Sequence, residues 1–277
     1  MQSNQVRDVV ETLLTDTSNS QLSDMAGKLD QILRLMDDAT HLQRVALLEE
    51  GHILRFHAGA LTQVALSLPD AQDDFLQRFI LRRRNFFEAK LLTAIQAMKI
   101  IGPGTTVCDI GANIGNHSVF FGKVLGAKRV LAFEPQPHSY GTLCRNLELN
   151  GLTDALAYNC MVGGKSGRGT VTRFNPRNLA ATAFAAAKDG EVPMVALDDL
   201  MDAEEMQGLG FIKIDVEGMQ MDVLSGAKKV IKAFKPVVWL DLDEKSPVLA
   251  EATKAMTTLG YGSERIGPNN FLFTSKK

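Results

Sequence analysis

Two hydrophobic rhythms divide this chain near residue 100. Before it, Gly and Pro are sparse and apolar residues recur at helical spacing; after it, Gly and Pro punctuate short apolar runs. Leu22, Met25, Leu29, Ile32, Met36 and Ala39 follow a 3-4-3-4 spacing, the a/d seam of a coiled coil. The seam weakens at Gln43 and drifts toward Leu42, Val45 and Leu48. Ser18 and Ser20 are candidate N-caps. Such a stretch either packs on its own domain as an amphipathic helix or joins a second copy, so residues 20–66 are a candidate homo-oligomer surface. Pro69 closes the region, and Asp70 is a candidate cap for a following helix, with Asp73 and Asp74 in its first turn. The pattern predicts a helical N-terminal arm over residues 1–85 and an α/β domain over residues 86–277.

In the second region, Thr106 to Ile110 reads as a buried strand and Arg129 to Phe133 as the next. A helix from Asn116 to Leu125 lies between them, closed by Gly126. This is one βαβ unit of a doubly wound, Rossmann-like sheet. Its first turn is the string DIGANIG, in which Gly111 and Gly115 let the backbone turn tightly and approach a ligand. Asp109 closes the first strand, near where the amino-acid end of an adenosine ligand would lie. Glu134 stands at the tip of the second strand, where a carboxylate can accept hydrogen bonds from both ribose hydroxyls. A dinucleotide fingerprint needs G-x-G-x-x-G, and Asn113 stands where its second glycine would be, so a pyrophosphate fits poorly. A phosphate-free ligand such as S-adenosyl-L-methionine suits this turn, and a dehydrogenase does not.

Three stretches in order carry a family likeness: VCDIGANIGNHSVFF at 107–121, LAFEPQPHSYGTLCRNLELNGL at 131–152, and FIKIDVEGMQMDVLSGAKKVIKAFKPVVWLDL at 211–242. With the LDDL at 197–200, they make residues 86–275 resemble the FkbM family of S-adenosylmethionine-dependent methyltransferases. The resemblance implies a seven-stranded class I methyltransferase sheet and methyl transfer to a hydroxyl oxygen, often of sugars or polyketide-type products. It implies that Glu88, in the Phe87-Glu88 pair, and Asn159 with Cys160, in NCMVG, belong to the cofactor site. With the loop residues, the expected cofactor set is Glu88, Asp109, Gly111, Ala112, Asn113, Gly115, Asn116, Glu134, Pro135, Asn159, Cys160 and Asp215. His117, Gln220 and Asp241 depart from the residues more usual in the family.

Phe211 to Asp215 reads as a further strand, with Lys213 opposite its apolar neighbours and Asp215-Val216-Glu217-Gly218 at its end. Ligands of open parallel sheets bind at the carboxyl ends of strands. Methyl transfer from a sulfonium needs proximity, orientation and a base for the acceptor proton. The candidate catalytic residues are Asp215, Glu217 and His117, with Glu88 as a further candidate base. Asp215 could instead cap the next helix or hold the cofactor's ammonium group. Asp215, Glu217 and Asp241 could together hold a divalent cation, but carboxylates alone do not make a metal site, and no metal is expected.

Composition narrows the partners. The chain has 277 residues, 45% hydrophobic and 22% charged, with a formal net charge of −2. That balance argues against a nonspecific nucleic-acid grip. Cys108, Cys144 and Cys160 have no zinc or CxxC spacing and read as reduced thiols. No signal peptide and no spanning apolar run are evident, so the expectation is a cytoplasmic protein without a membrane span. Arg78, Arg82, Arg83 and Arg84 form a basic cluster, either a solvated face or a holder of an anionic substrate such as a phosphate-linked sugar carrier. His41, His52, His57 and His138 show no ligand spacing. The leading expectation is an O-methyltransferase for a small-molecule or glycan hydroxyl. Two alternatives remain. One is an RNA methyltransferase, suggested by the 134–152 stretch but lacking a basic stripe. The other is a helical-arm scaffold with an inactive methyltransferase domain.

Overall fold

The computed structural model describes residues 19–276, with side chains from Ser23 onward, in two compact units that meet in sequence between Leu47 and Leu48. The described residues of the first unit form one long helix, α1, Asn19–Ala46. Ser18 lies outside the described residues. Met25, Leu29, Ile32, Leu33, Leu35, Met36 and Leu42 are each more than half exposed, so the seam read from the spacing faces solvent. Among the described residues, no helix is long and apolar enough to cross a membrane.

The expected helical arm to residue 85 is shorter than the pattern implied. After α1 the chain forms an antiparallel hairpin, β1 Ile53–Ala58 with β2 Thr62–Ser67, which belongs to the second unit. Its register is set by a short turn, and its apolar residues face inward. The next helix, α2 Phe75–Arg83, is capped by Asp74, whose carboxylate accepts from the Gln77 N–H. Asp70, the expected cap, instead accepts from the Gln77 amide and pairs with His138. Helix α3 is Ala89–Met98.

The alternating region then builds the main sheet. Strand β3 is Thr106–Ile110, α4 is Asn116–Val119 running into π-helical turns over Phe120–Val124, and β4 is Arg129–Phe133. Helix α5 is Pro137–Leu149 and β5 is Leu156–Tyr158. A smaller four-stranded sheet interrupts the winding: β6 Met161–Val162, β7 Gly167–Arg173, β8 Ala183–Ala186 and β9 Val192–Val195. The Ala-rich run around 180–187 gave no sign of it. The main sheet resumes with β10 Leu209–Ile214, then α6 Gln220–Ser225, α7 Lys228–Phe234, β11 Val237–Asp241, α8 Pro247–Thr258, β12 Tyr261–Gly267 and β13 Asn270–Ser275.

The order is β12-β13-β11-β10-β3-β4-β5. The five strands from β11 to β5 are parallel, and β13 runs antiparallel to both neighbours. The chain leaves β3 toward β4 and β5, then returns to build β10 and β11 on the other side. The winding therefore reverses between β3 and β10, where open α/β sheets form their ligand crevice. The central strands are buried on both faces and read as continuous apolar runs for that reason. Phe121, Phe211 and Trp239 pack edge to face or tilted against one another.

Two asparagines explain why the hairpin joins this unit. Asn146, in the last turn of α5, and Asn150, its C-cap, lie four residues apart. The Asn146 amide accepts from the Ser67 N–H at 2.6 Å and donates to the Ser67 carbonyl; Asn150 does the same for Ala65, at 3.1 and 2.7 Å. Side-chain amides thus complete the open edge of β2 as a neighbouring strand would. Each buried bond contributes about 1 kcal/mol net, and more is lost if a partner is left unpaired.

Candidate active-site cleft

At the tip of β3 the backbone enters Gly111 at φ 78°, Asn113 at φ 50° and Gly115 at φ 82°. A Cβ on Gly111 would run into the Asp215 carbonyl at the end of β10, so only glycine lets the two strand tips close this tightly. Gly115 serves packing instead: a Cβ there would meet Leu143 of α5 at 2.7 Å. Asn113 tolerates its left-handed backbone because its side-chain oxygen accepts from the Ile114 N–H.

Glu134, one residue past β4, reaches across to this turn. Its two carboxylate oxygens accept from the Asn113 and Gln136 N–H groups, each at 2.8 Å. The residue is only 7% exposed. Burial pushes its carboxyl up to about 7, although the two backbone N–H groups pull the other way. The Asn159 amide donates to the Glu134 and Pro135 carbonyls at 2.9 and 3.1 Å and so fixes the turn that presents the carboxylate.

At the centre of the crevice lies a buried lysine. Lys213 sits beside Asp109 in the parallel register of β10 and β3. Its Nζ is 3.2 Å from Asp109 Oδ1 and 3.1 Å from Asp215 Oδ2. Burial alone favours the neutral amine, but the two carboxylates outweigh it and hold the ammonium charged. Ser118 donates to the other Asp109 oxygen. Asp109 is therefore a cross-strand partner of Lys213 and lies outside the cleft. The expectation that it meets a ligand's amino-acid end is corrected, because its position is interior to a strand covered on both faces.

On the far side stand Glu88, His117 and Asp241. Glu88 takes a left-handed backbone, φ 57°, just before α3, and Asn270 donates to its Oε1 at 3.4 Å. Asn270 is itself held by the Trp239 indole N–H at 2.6 Å. His117 packs on Trp239 and Phe121 and is 6% exposed. Its Nε2 has no hydrogen-bond partner among the described residues, although Glu88 Oε2 is 3.4 Å away, outside hydrogen-bonding geometry. Burial first, and then the Lys213 charge, lower His117 well below the usual histidine range, so it is neutral at pH 7. Burial, then the neighbouring Asp215 charge, raises both Glu88 and Asp241, the latter to about 7.

These groups line one open cleft of about 180 Å³. Of the sequence-predicted site residues it gathers Glu88, Gly111, Ala112, Asn113, Asn116, His117, Glu134, Pro135, Asp215 and Glu217. Asp109, Gly115 and Asn159 act from behind it. Cys160 lines an adjoining apolar slot with Phe133, Pro135, Met161, Phe184 and Val216. Glu217 points to Arg173 at 2.8 Å, and Asp215 is held by Lys213. Among the described residues no three His, Cys, Asp or Glu side chains form a group able to hold a metal ion, so the cation site weighed for Asp215, Glu217 and Asp241 is not assembled. Sequence reasoning missed Lys213 as the hub, and missed the wall formed by Asn178 to Thr182 and Phe184. That wall is pinned by the Phe75 N–H to the Arg177 carbonyl and by the Leu179 N–H to Asp74, both 2.9 Å. No local signal marks it, since its partners lie about 100 residues away.

Residues 109–263 match the methyltransferase FkbM domain model, more than half of the chain. The chain belongs to the FkbM methyltransferase family. Methyltransferase 1 of Beauveria bassiana is 26% identical over 142 residues, 43% of this chain and 57% of that protein. The hexuronic acid methyltransferase AglP of Haloferax volcanii is 28% identical over 135 residues, 47% of this chain and 53% of its own length. This FkbM chain thus spans little more than half the length of these curated relatives. A crystal structure of an FkbM methyltransferase from Methylobacillus flagellatus KT aligns with 21% identity and a TM-score of 0.47, over 63% of this chain and 44% of that one.

Proposed function

We propose that the cleft binds S-adenosyl-L-methionine and that the protein transfers its methyl group to a hydroxyl oxygen of a sugar, glycan or related metabolite. One observation carries the reading: the Glu134 carboxylate and the glycine turn meet at the rim of the sheet, joined by the 2.8 Å bond from Asn113. The residues present fit the cofactor. Glu134 has lone pairs left for ribose hydroxyls, Gly111 leaves the approach clear, and the slot around Cys160 and Phe184 offers an apolar bed for a flat base. The bound cofactor supplies a positively charged sulfonium methyl that needs no further activation.

The chain's own residues then orient the acceptor and take its proton. Asp215 is ion-paired with Lys213, and Glu217 is drawn away by Arg173. His117 is the remaining candidate: it is neutral and its Nε2 has no partner among the described residues, but that atom is buried, so the acceptor reaches it only after a small shift of the side chain or of the chain over it. Glu88, 3.4 Å away, can stabilise the imidazolium as the proton arrives. The haloarchaeal relative, a hexuronic acid methyltransferase, supports a sugar-type acceptor.

The test is calorimetric titration with S-adenosylmethionine, followed by labelled methyl transfer to hydroxylated acceptors. His117→Ala should cut turnover by about 10²–10⁴-fold while leaving cofactor affinity within about threefold. No cofactor binding by the wild-type protein would overturn the reading.

A further inference from the structure

Helix α1 carries an apolar stripe along one side. Seven large apolar side chains between Met25 and Leu42 are each more than half exposed, and their spacing sets them within one face of the helix. The charges keep off that face. Asp24, Asp30, Arg34, Asp37, Asp38 and Arg44 lie away from it, where Arg34 pairs with Asp30. Lys28 stands on the flank of the stripe and pairs with Asp24. Among the described side chains of α1 only His41 is buried, and it lies opposite the stripe.

In proteins a helix draws most of its stability from the packing of its apolar face, and Gly27 weakens this one further. The stripe exposes roughly 500 Å² or more, the upper end of what a monomer normally shows. Two such stripes sealed together remove about 1,000 Å² or more from water, enough for a specific interface.

The seam fits itself in one orientation. Its large residues, Met25, Leu29 and Ile32, stand in the N-terminal half, while Ala39 and Gln43 stand in the C-terminal half. A second copy running antiparallel, about a two-fold axis beside Arg34, sets Met25 against Gln43, Leu29 against Ala39 and Ile32 against Met36, each layer occurring twice. A parallel pair would stack Leu29 on Leu29 and Ala39 on Ala39, crowding one end and leaving the other thin. Antiparallel pairing also sets the two Lys28 residues about 18 Å apart along the axis, beyond the Debye length of about 8 Å, whereas parallel pairing sets them level.

We infer that α1 joins a second copy of this chain as an antiparallel pair of helices. Every layer of the seam then holds one larger and one smaller or more flexible side chain, and no like charges meet across it.

Sedimentation equilibrium of the full chain at micromolar concentration should give a dimer. A monomer, whose stripe residues 1–18 or a different protein would then have to cover, overturns the inference. Leu29→Lys places a charge in two layers of the seam and should weaken association at least about a hundredfold, while the second unit melts as in wild type. A Leu29→Lys variant that dimerises as tightly as wild type would assign the contact to another surface and overturn the inference. Orientation is read by cross-linking under mild oxidation. A mixture of Met25→Cys and Gln43→Cys copies should form a disulfide-linked dimer well above the wild-type background from Cys144, the native cysteine that is not buried; Met25→Cys alone should not. Cross-linking by Met25→Cys alone, with nothing added by the mixture, would refute the antiparallel pairing.

Discussion

Glu134→Gln separates stability from binding at a single atom. The carboxylate accepts one backbone N–H on each oxygen. Glutamine keeps the shape but offers one oxygen and one NH2 group, so either Asn113 or Gln136 faces a donor. Leaving that buried N–H unpaired costs about 1–3 kcal/mol. Against this stands the cost of the buried charge. The folded carboxyl keeps its proton to about pH 7, against an ordinary value of 4.5. Between these values the folded state binds more protons than the unfolded chain, so this group's contribution is full below about pH 4.5 and is lost as pH rises through 7. By pH 8 the ionised carboxylate costs roughly 3 kcal/mol, and glutamine removes that cost. The two changes nearly cancel, so the variant should melt within a few degrees of wild type at pH 8. It should also lessen the fall in melting temperature expected of wild type between pH 5 and pH 8, the remainder coming from Asp241, whose carboxyl is raised to about 7 as well. Cofactor affinity should behave differently. Loss of charge-assisted bonds to ribose should weaken binding by about 1.5–3 kcal/mol, which is roughly 10- to 150-fold. In wild type, affinity should rise about tenfold from pH 6 to pH 8 as the carboxylate ionises. Calorimetry at the two pH values, with differential scanning fluorimetry, reads both. A variant that binds as tightly as wild type, or a wild-type affinity flat in pH, would refute the ribose assignment.

Other expectations follow from the same geometry. Gly111→Ala should abolish cofactor binding and destabilise the fold by roughly 2 kcal/mol or more, because its Cβ meets the Asp215 carbonyl and its φ of 78° disfavours a side chain; a variant with wild-type melting and binding would contradict this. Lys213→Met should cost about 3–5 kcal/mol in chemical denaturation by stranding Asp109 in the sheet, and adding Asp109→Asn should recover part of it. Removal of residues 1–47 should leave cofactor affinity unchanged, since the residues lining the cleft all come from the second unit. Sedimentation of the same truncation would show whether the exposed seam on α1 holds copies together, by loss of a dimer seen in the full chain.

Three of the main strands were readable from the run of apolar segments and from the glycine turn, while the seven-stranded sheet came through the family likeness and its order from the structure. A strand covered on both faces must be apolar throughout, and a turn at positive φ must carry glycine or asparagine. Thr106–Ile110 and Arg129–Phe133 fell where expected, and β10 began two residues earlier than read. The hairpin at 53–67 was not readable, because its apolar residues also fit helical spacing and its stabilising partners, Asn146 and Asn150, lie about 80 residues downstream.

What the amino-acid order determined by itself was local: which segments are buried, where the chain turns, and that a carboxylate stands at the tip of β4. What only tertiary structure decided was the use of each charge. The same aspartate type became a lysine's partner at 109, a helix cap at 74 and a half-buried cleft acid at 241. A strand position dictates whether a side chain is covered, through period and burial. Which charge lies 3 Å away is set by neighbours that the winding of the sheet brings in from 100 residues off, and that distance governs whether a carboxylate binds, positions or repels.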